Sequence, residues 1–201
     1  MLVIGVTGGV ASGKTELLGH LSRLCKSPQL SADEIVKNIL EEEKILNQIK
    51  QRIGTSVFIE EQKLDKRSLQ TLIFHSESAR KTLESILHPK VRQTWLDEVA
   101  KLEGEKRHSL CLIEVPLLFE TGAEVHFNKI IQLAASPELQ IQRLTQRRRF
   151  SLSLAQKMIS AQMATEEKML RSDFVIWNDG STASLLAQGT LLAGYLMQLT
   201  N

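Results

Sequence analysis

Lys14 and Thr15 close the run Gly8-Gly9-Val10-Ala11-Ser12-Gly13-Lys14-Thr15, which fits the spacing GxxxxGK[ST]. The chemistry of that spacing is phosphate binding. Its glycines let successive backbone N–H groups turn inward around an anion. A helix opening at the lysine adds its positive N-terminal end. The Lys14 ammonium can reach the β and γ phosphates of a nucleotide, and the Thr15 hydroxyl can ligate Mg²⁺. Gly8, Gly9, Ala11, Ser12, Gly13, Lys14 and Thr15 are therefore candidate ligands of a nucleoside triphosphate. Glu16 follows them in the first helical turn, where a negative charge is tolerated. A chance match in a glycine-rich turn is the alternative. The context argues against chance, because the run follows an apolar strand and opens a helix.

Three further sets of residues could serve the same chemistry. Glu114 ends the apolar stretch 109–115, where an acidic residue supports Mg²⁺ in phosphate-loop proteins or faces solvent as a polar strand end. Asp33 follows a short stretch, Gln29-Leu30-Ser31, that reads as a second strand. In such folds ligands gather at the carboxyl ends of the strands, so Asp33 could take a proton from an attacking hydroxyl. It could equally belong to a helix N-cap, Ser31-Ala32-Asp33-Glu34. Arg143, Arg147, Arg148 and Arg149 cluster at a helix end. They lie on a solvated face, or one or two close over the triphosphate to stabilise charge on the phosphoryl group in transfer.

The elements that must position these groups alternate between strand and helix. Leu2 to Val6, Ser109 to Val115, Lys129 to Ala134 and Asp173 to Trp177 are short apolar runs suited to parallel strands covered on both faces. Helical spacing marks Lys14 to Lys26, Asp33 to about Gly54, Ser68 to Glu103 with an interruption near His88-Pro89, Pro137 to Arg147, Ser151 to Leu170 and Ser181 to Leu199. This predicts an α/β fold: a parallel sheet of about five strands flanked by helices. The whole chain, 1–201, is expected to be one domain. Its core comprises 1–33, 107–136 and 171–201, with a helical insertion at 34–106 and a lid at 137–170. A mobile lid over the site would exclude water, which competes with the intended acceptor.

Composition and missing motifs remove several classes. A net charge of +2 gives no basic face for nucleic acid. No apolar run approaches the roughly 20 residues that span a bilayer, and the N-terminus lacks the basic lead-in of a signal peptide, so a cytoplasmic protein is expected. The two cysteines, Cys25 and Cys111, are far apart and read as buried thiols. A GTPase would carry Asn-Lys-x-Asp, yet Asn128-Lys129 is followed by Ile130 and Ile131, and no aspartate has glycine three residues on. What remains is a kinase of a small molecule, or a regulatory protein that binds ATP without transferring phosphate.

Taken in order, the segments resemble the dephospho-CoA kinase family along nearly the whole chain. The resemblance rests on Val6-Thr7-Gly8-Gly9 with Ser12-Gly13-Lys14, Ala32-Asp33 with Ile35, Arg67-Ser68-Leu69 with Ile73-Phe74, and Leu87-His88-Pro89. It continues through Pro116-Leu117-Leu118-Phe119-Glu120, Gln146-Arg147, Gln162-Met163, Ser172 to Ile176, and Asn178 with Gly180. It implies a phosphate-loop NTPase fold in which the helical insertion binds the acceptor. It also implies phosphorylation of the ribose 3′-hydroxyl of dephospho-CoA by ATP with Mg²⁺, the last step of coenzyme A synthesis. By the same resemblance Asp33 is the base, Arg143 contacts the phosphates with Arg147 beside it, and Thr15 and Glu114 support the metal. Asn178 lies by the adenine, and His88 and Glu120 lie toward the acceptor, Glu120 being either structural or part of the pocket lining. The expected state is a monomer or weak homo-oligomer with no nucleic-acid or membrane partner. A nucleoside or nucleoside-monophosphate kinase is the nearest enzymatic alternative. Ser31, Arg148 and Trp177 depart from residues common in the family, and these departures bear on the details of the site and lid.

Overall fold

A computed structural model describes residues 1–60 and 63–200. The chain forms two compact units, one made of Met1–Ser31 with the chain from Val99 onward, the other of Ala32–Glu98.

The first unit is built on five parallel strands: β1 (Leu2–Gly8), β2 (Gln29–Ser31), β5 (Leu110–Glu114), β6 (Lys129–Ala134) and β7 (Phe174–Trp177). Their order across the sheet is β2-β5-β1-β6-β7. Pairing sets Val6 beside both Glu114 and Ile131, and Ser31 beside Glu114. The strands read as apolar runs because both faces are covered. On one face Ile4, Val6, Leu112, Ile131 and Leu133 pack with Leu17 and Leu21 of α1 (Lys14–Cys25) and with Leu185, Leu192 and Leu196 of α9 (Thr182–Gln198). On the other face Leu118 and Phe127 approach Gly5 so closely that a Cβ there would meet Leu118 at 2.6 Å. Serine caps start three of this unit's helices: Ser136 for α6 (Pro137–Arg148), Ser151 for α7 (Leu152–Ser160) and Ser181 for α9. The stretch expected as one helix over 151–170 is two, α7 and α8 (Thr165–Leu170), with a turn between them. In that turn the Met163 N–H donates to Glu120 instead of continuing a helix. No described helix is long and apolar enough to cross a membrane.

The second unit holds α2 (Ala32–Ile39), α3 (Glu43–Arg52), the antiparallel pair β3 (Phe58–Ile59) and β4 (Lys63–Leu64), α4 (Lys66–His75) and α5 (Glu77–Glu105), the last running on into the first unit. The helix expected over 33–54 breaks at the run Glu41-Glu42-Glu43. There three like charges disfavour continuation, while Glu43 suits the positive start of a new helix. The interruption expected at His88-Pro89 does not occur, and α5 passes through Pro89. One backbone bond is lost at the proline, but Leu83, Ile86, Leu87, Val91 and Trp95 stay in helical phase and are buried. The actual break falls at Ser76, whose hydroxyl accepts the Ala79 N–H. The β3–β4 pair was not expected; strands of two residues carry no periodicity. Glu61 and Gln62, between them, lie outside the described residues. The compact unit at 32–98 can be set beside the insertion expected at 34–106.

Candidate active site

The loop from Gly8 to Gly13 joins β1 to α1, so the sheet's carboxyl edge and the helix N-terminus meet there. Gly13 caps α1 at φ 99°, a left-handed conformation open to glycine, and an added Cβ would stand 2.6 Å from Asn178 Nδ2. Lys14 Nζ donates to the carbonyls of Gly8 (3.2 Å) and Gly9 (3.0 Å), which keeps the ammonium folded along the loop. The Thr15 hydroxyl lies 3.4 Å from Glu114 Oε2, and Glu114 is buried at the end of β5. Strand β5 neighbours β1, so the strand-end carboxylate falls beside the loop.

Arg143 is tied to the loop's backbone. One guanidinium nitrogen reaches the carbonyls of Ala11 (3.1 Å) and Ser12 (3.3 Å), and the other reaches that of Asn178 (3.0 Å). Burial first, then the nearby Arg147, lowers the Arg143 pKa from its ordinary value. An arginine so shifted still carries its charge at neutral pH. The Asn178 amide donates to the Ser12 carbonyl at 2.7 Å, and the next residue, Asp179, accepts the Ser136 N–H at the start of α6. A cavity of about 250 Å³ opens beside these groups, lined by Ala11, Gly13, Glu16, Arg143, Arg147 and Asn178 among others. It lies along the start of α1.

Two expected residues belong to the second unit. Asp33 is exposed in the first turn of α2, the helix that begins directly after β2. His88 is half-buried on α5. Burial lowers its pKa, Glu84 opposes that shift and Arg92 adds to it, so the ring is neutral at pH 7. Glu120 makes a 2.7 Å ion pair with Lys168 of α8, a lysine whose side chain is only 1% exposed, and accepts the Met163 N–H at 2.9 Å. Its side chain thus anchors the turn between α7 and α8. Cys111 is fully buried, which raises its thiol to about 11, whereas Cys25, expected buried, is partly buried against the core.

Sequence reasoning missed Gln140 and Lys168. Gln140 occupies, with Leu144, the buried side of α6. A polar side chain inside a helix's apolar stripe was the available signal.

A model of the dephospho-CoA kinase family matches residues 2–184. The chain belongs to the dephospho-CoA kinase family. A dephospho-CoA kinase of Bacillus cereus is 34% identical over 181 residues, 90% of each chain. A solved Thermus thermophilus structure superposes with a TM-score of 0.80 at 30% identity, covering 100% of this chain and 98% of its own. The dephospho-CoA kinase of Campylobacter jejuni does so at 0.71 and 27% identity, covering 99% and 98%. The fold is that of the phosphate-loop kinases, and the protein is a phosphotransferase that uses a nucleotide.

Proposed function

We propose that this member of the dephospho-CoA kinase family transfers the terminal phosphoryl group of ATP to the ribose 3′-hydroxyl of dephospho-CoA, giving coenzyme A and ADP. The observation that carries the reading is the Gly8–Thr15 loop, with Lys14 lying along it and Thr15 within 3.4 Å of the buried Glu114. Backbone N–H groups of the loop bind the β and γ phosphates, and Lys14 offsets their charge. Thr15 and Glu114 fit Mg²⁺, which keeps several waters and takes one or two protein oxygens besides the phosphates. When bound, Mg²⁺ neutralises charge on the phosphate oxygens.

Asp33 orients the 3′-hydroxyl and takes its proton as the new O–P bond forms and the bond to the β-phosphate oxygen breaks. Arg143 and Arg147 steady the phosphates, and Asn178 borders the adenine end. The helical insertion 34–106, with His88, binds the acceptor. Residues 137–170 form the lid. The enzyme works in the cytoplasm as a monomer or weak homo-oligomer, without nucleic acid or membrane. The test is purified protein with ATP, Mg²⁺ and dephospho-CoA, followed by the appearance of coenzyme A, with nucleosides and nucleoside monophosphates as rival acceptors. ADP released equally fast without dephospho-CoA, or faster with a rival, overturns the reading.

A further inference from the structure

Ala11 has φ 58°, a left-handed conformation that a side chain makes unfavourable. Such a residue persists where its surroundings over-determine it. Both peptides flanking Ala11 are held by one face of α6. Gln140 Nε2 donates to the Val10 carbonyl at 2.7 Å, and Arg143, three residues on, donates to the Ala11 carbonyl. The preceding peptide is held from a different element. The Val10 N–H donates to Gln162 Oε1 at 2.9 Å, from the turn between α7 and α8. That turn is itself anchored through Met163 N–H to Glu120.

Gln140 is 2% exposed, and the general phosphate-loop spacing does not account for it. It does account for Gly9. A Cβ on Gly9 would stand 2.2 Å from Gln140 Nε2, so the second glycine of the loop makes room for this amide.

We propose that Gln140 and Gln162 are positioning residues for phosphoryl transfer. They grip the Val10 peptides from two sides and set the direction of the loop's inward N–H groups before the phosphates arrive. The pair acts on the first half of the loop. Val10 itself does not line the cavity at the start of α1, which begins at Ala11. The pair's effect therefore falls more on the transferring phosphoryl group than on nucleotide affinity. The Glu120–Lys168 pair, by fixing the turn that carries Gln162, joins the lid region to the same loop.

The test is steady-state kinetics with ATP and dephospho-CoA, alongside ADP dissociation constants and thermal unfolding. Gln162→Met keeps the bulk and removes the acceptor. It should lower kcat about five- to tenfold, the scale of one lost hydrogen bond, with KM for ATP and ADP affinity changed less than about twofold. Gln140→Ala should do the same. Gly9→Ala should lower kcat in the native background and add nothing to Gln140→Ala, where the Cβ has space. Gln162 is only half-buried, so its variant remains informative even where a Gln140 variant unfolds. The proposal is overturned by an unchanged kcat in Gln162→Met, by loss of ADP affinity in proportion to kcat, or by full additivity of Gly9→Ala on Gln140→Ala. A wild-type enzyme inactive toward dephospho-CoA would instead remove the functional reading on which the test stands.

Discussion

The Gly8–Thr15 loop and the segment around Asp33 differ in how they hold their chemical groups. In the loop, side chains from three separate stretches fix the backbone: Gln140 and Arg143, Gln162, and Asn178. Asp33 stands exposed on a short helix at the start of the second unit. Phosphate binding needs backbone dipoles set in advance, because their orientation does the stabilising. A base of the kind proposed for Asp33 acquires its geometry with the substrate, because catalytic hydrogen bonds tighten only in the complex. In the second unit the ion pair Lys81–Glu77 joins two exposed side chains one helical turn apart. Such pairs contribute little to stability.

The comparison breaks most visibly at Asp33. Asp33→Asn should lower kcat by about 10²- to 10⁴-fold while leaving ADP binding intact, measured by turnover and calorimetry. A kcat within a few-fold of the native value would remove the carboxylate from the reaction. Lys14→Met should cost about 10²- to 10³-fold in kcat and weaken triphosphate binding more than diphosphate binding. On the other side of the comparison, Arg143→Ala removes hydrogen bonds to three carbonyls at once. It should lower ADP affinity and kcat together, by about tenfold or more, because the loop itself loosens. Equal loss in both would fit its place on the cavity wall as well as on the loop, whereas a loss in kcat alone would give it the same positioning role as Gln140.

Glu120→Gln sharpens the contrast through stability. It leaves the nearly inaccessible Lys168 without its carboxylate, at a cost of about 3 kcal/mol in denaturant unfolding. An unchanged KM for dephospho-CoA would confirm an anchoring role, and a raised KM would put Glu120 in the acceptor pocket. The smallest effect is expected for Ala11→Gly. It removes a strained φ, and should change stability by no more than about 1 kcal/mol while lowering kcat slightly through a looser loop.

Much of the first unit was legible because its parallel strands are buried on both faces and so appear as plain apolar runs, as in Leu110–Glu114 and Lys129–Ala134. The loop was legible because its chemistry is local. What could not be read depends on long-range pairing. Gln140 and Gln162 meet Val10 across separations of 130 and 152 residues, and no periodicity encodes such a meeting. Gln162 was noticed only as part of the family resemblance. The sequence does not separate the two roles of Glu120, because its partner, Lys168, reads as any lysine of a polar helix. Pro89 misled through a sound local rule, outweighed by the apolar residues that hold α5 in phase on either side.

The large sheet ends in its two briefest strands, three residues at β2 and four at β7. Each unpaired rim therefore offers too few amides and carbonyls to recruit a neighbouring chain, although Val175 and Trp177 are exposed on the latter. A concentrated solution of this enzyme should accordingly resist ordered self-association through strand addition, and any clumping on heating should begin only after helices have come away from the sheet.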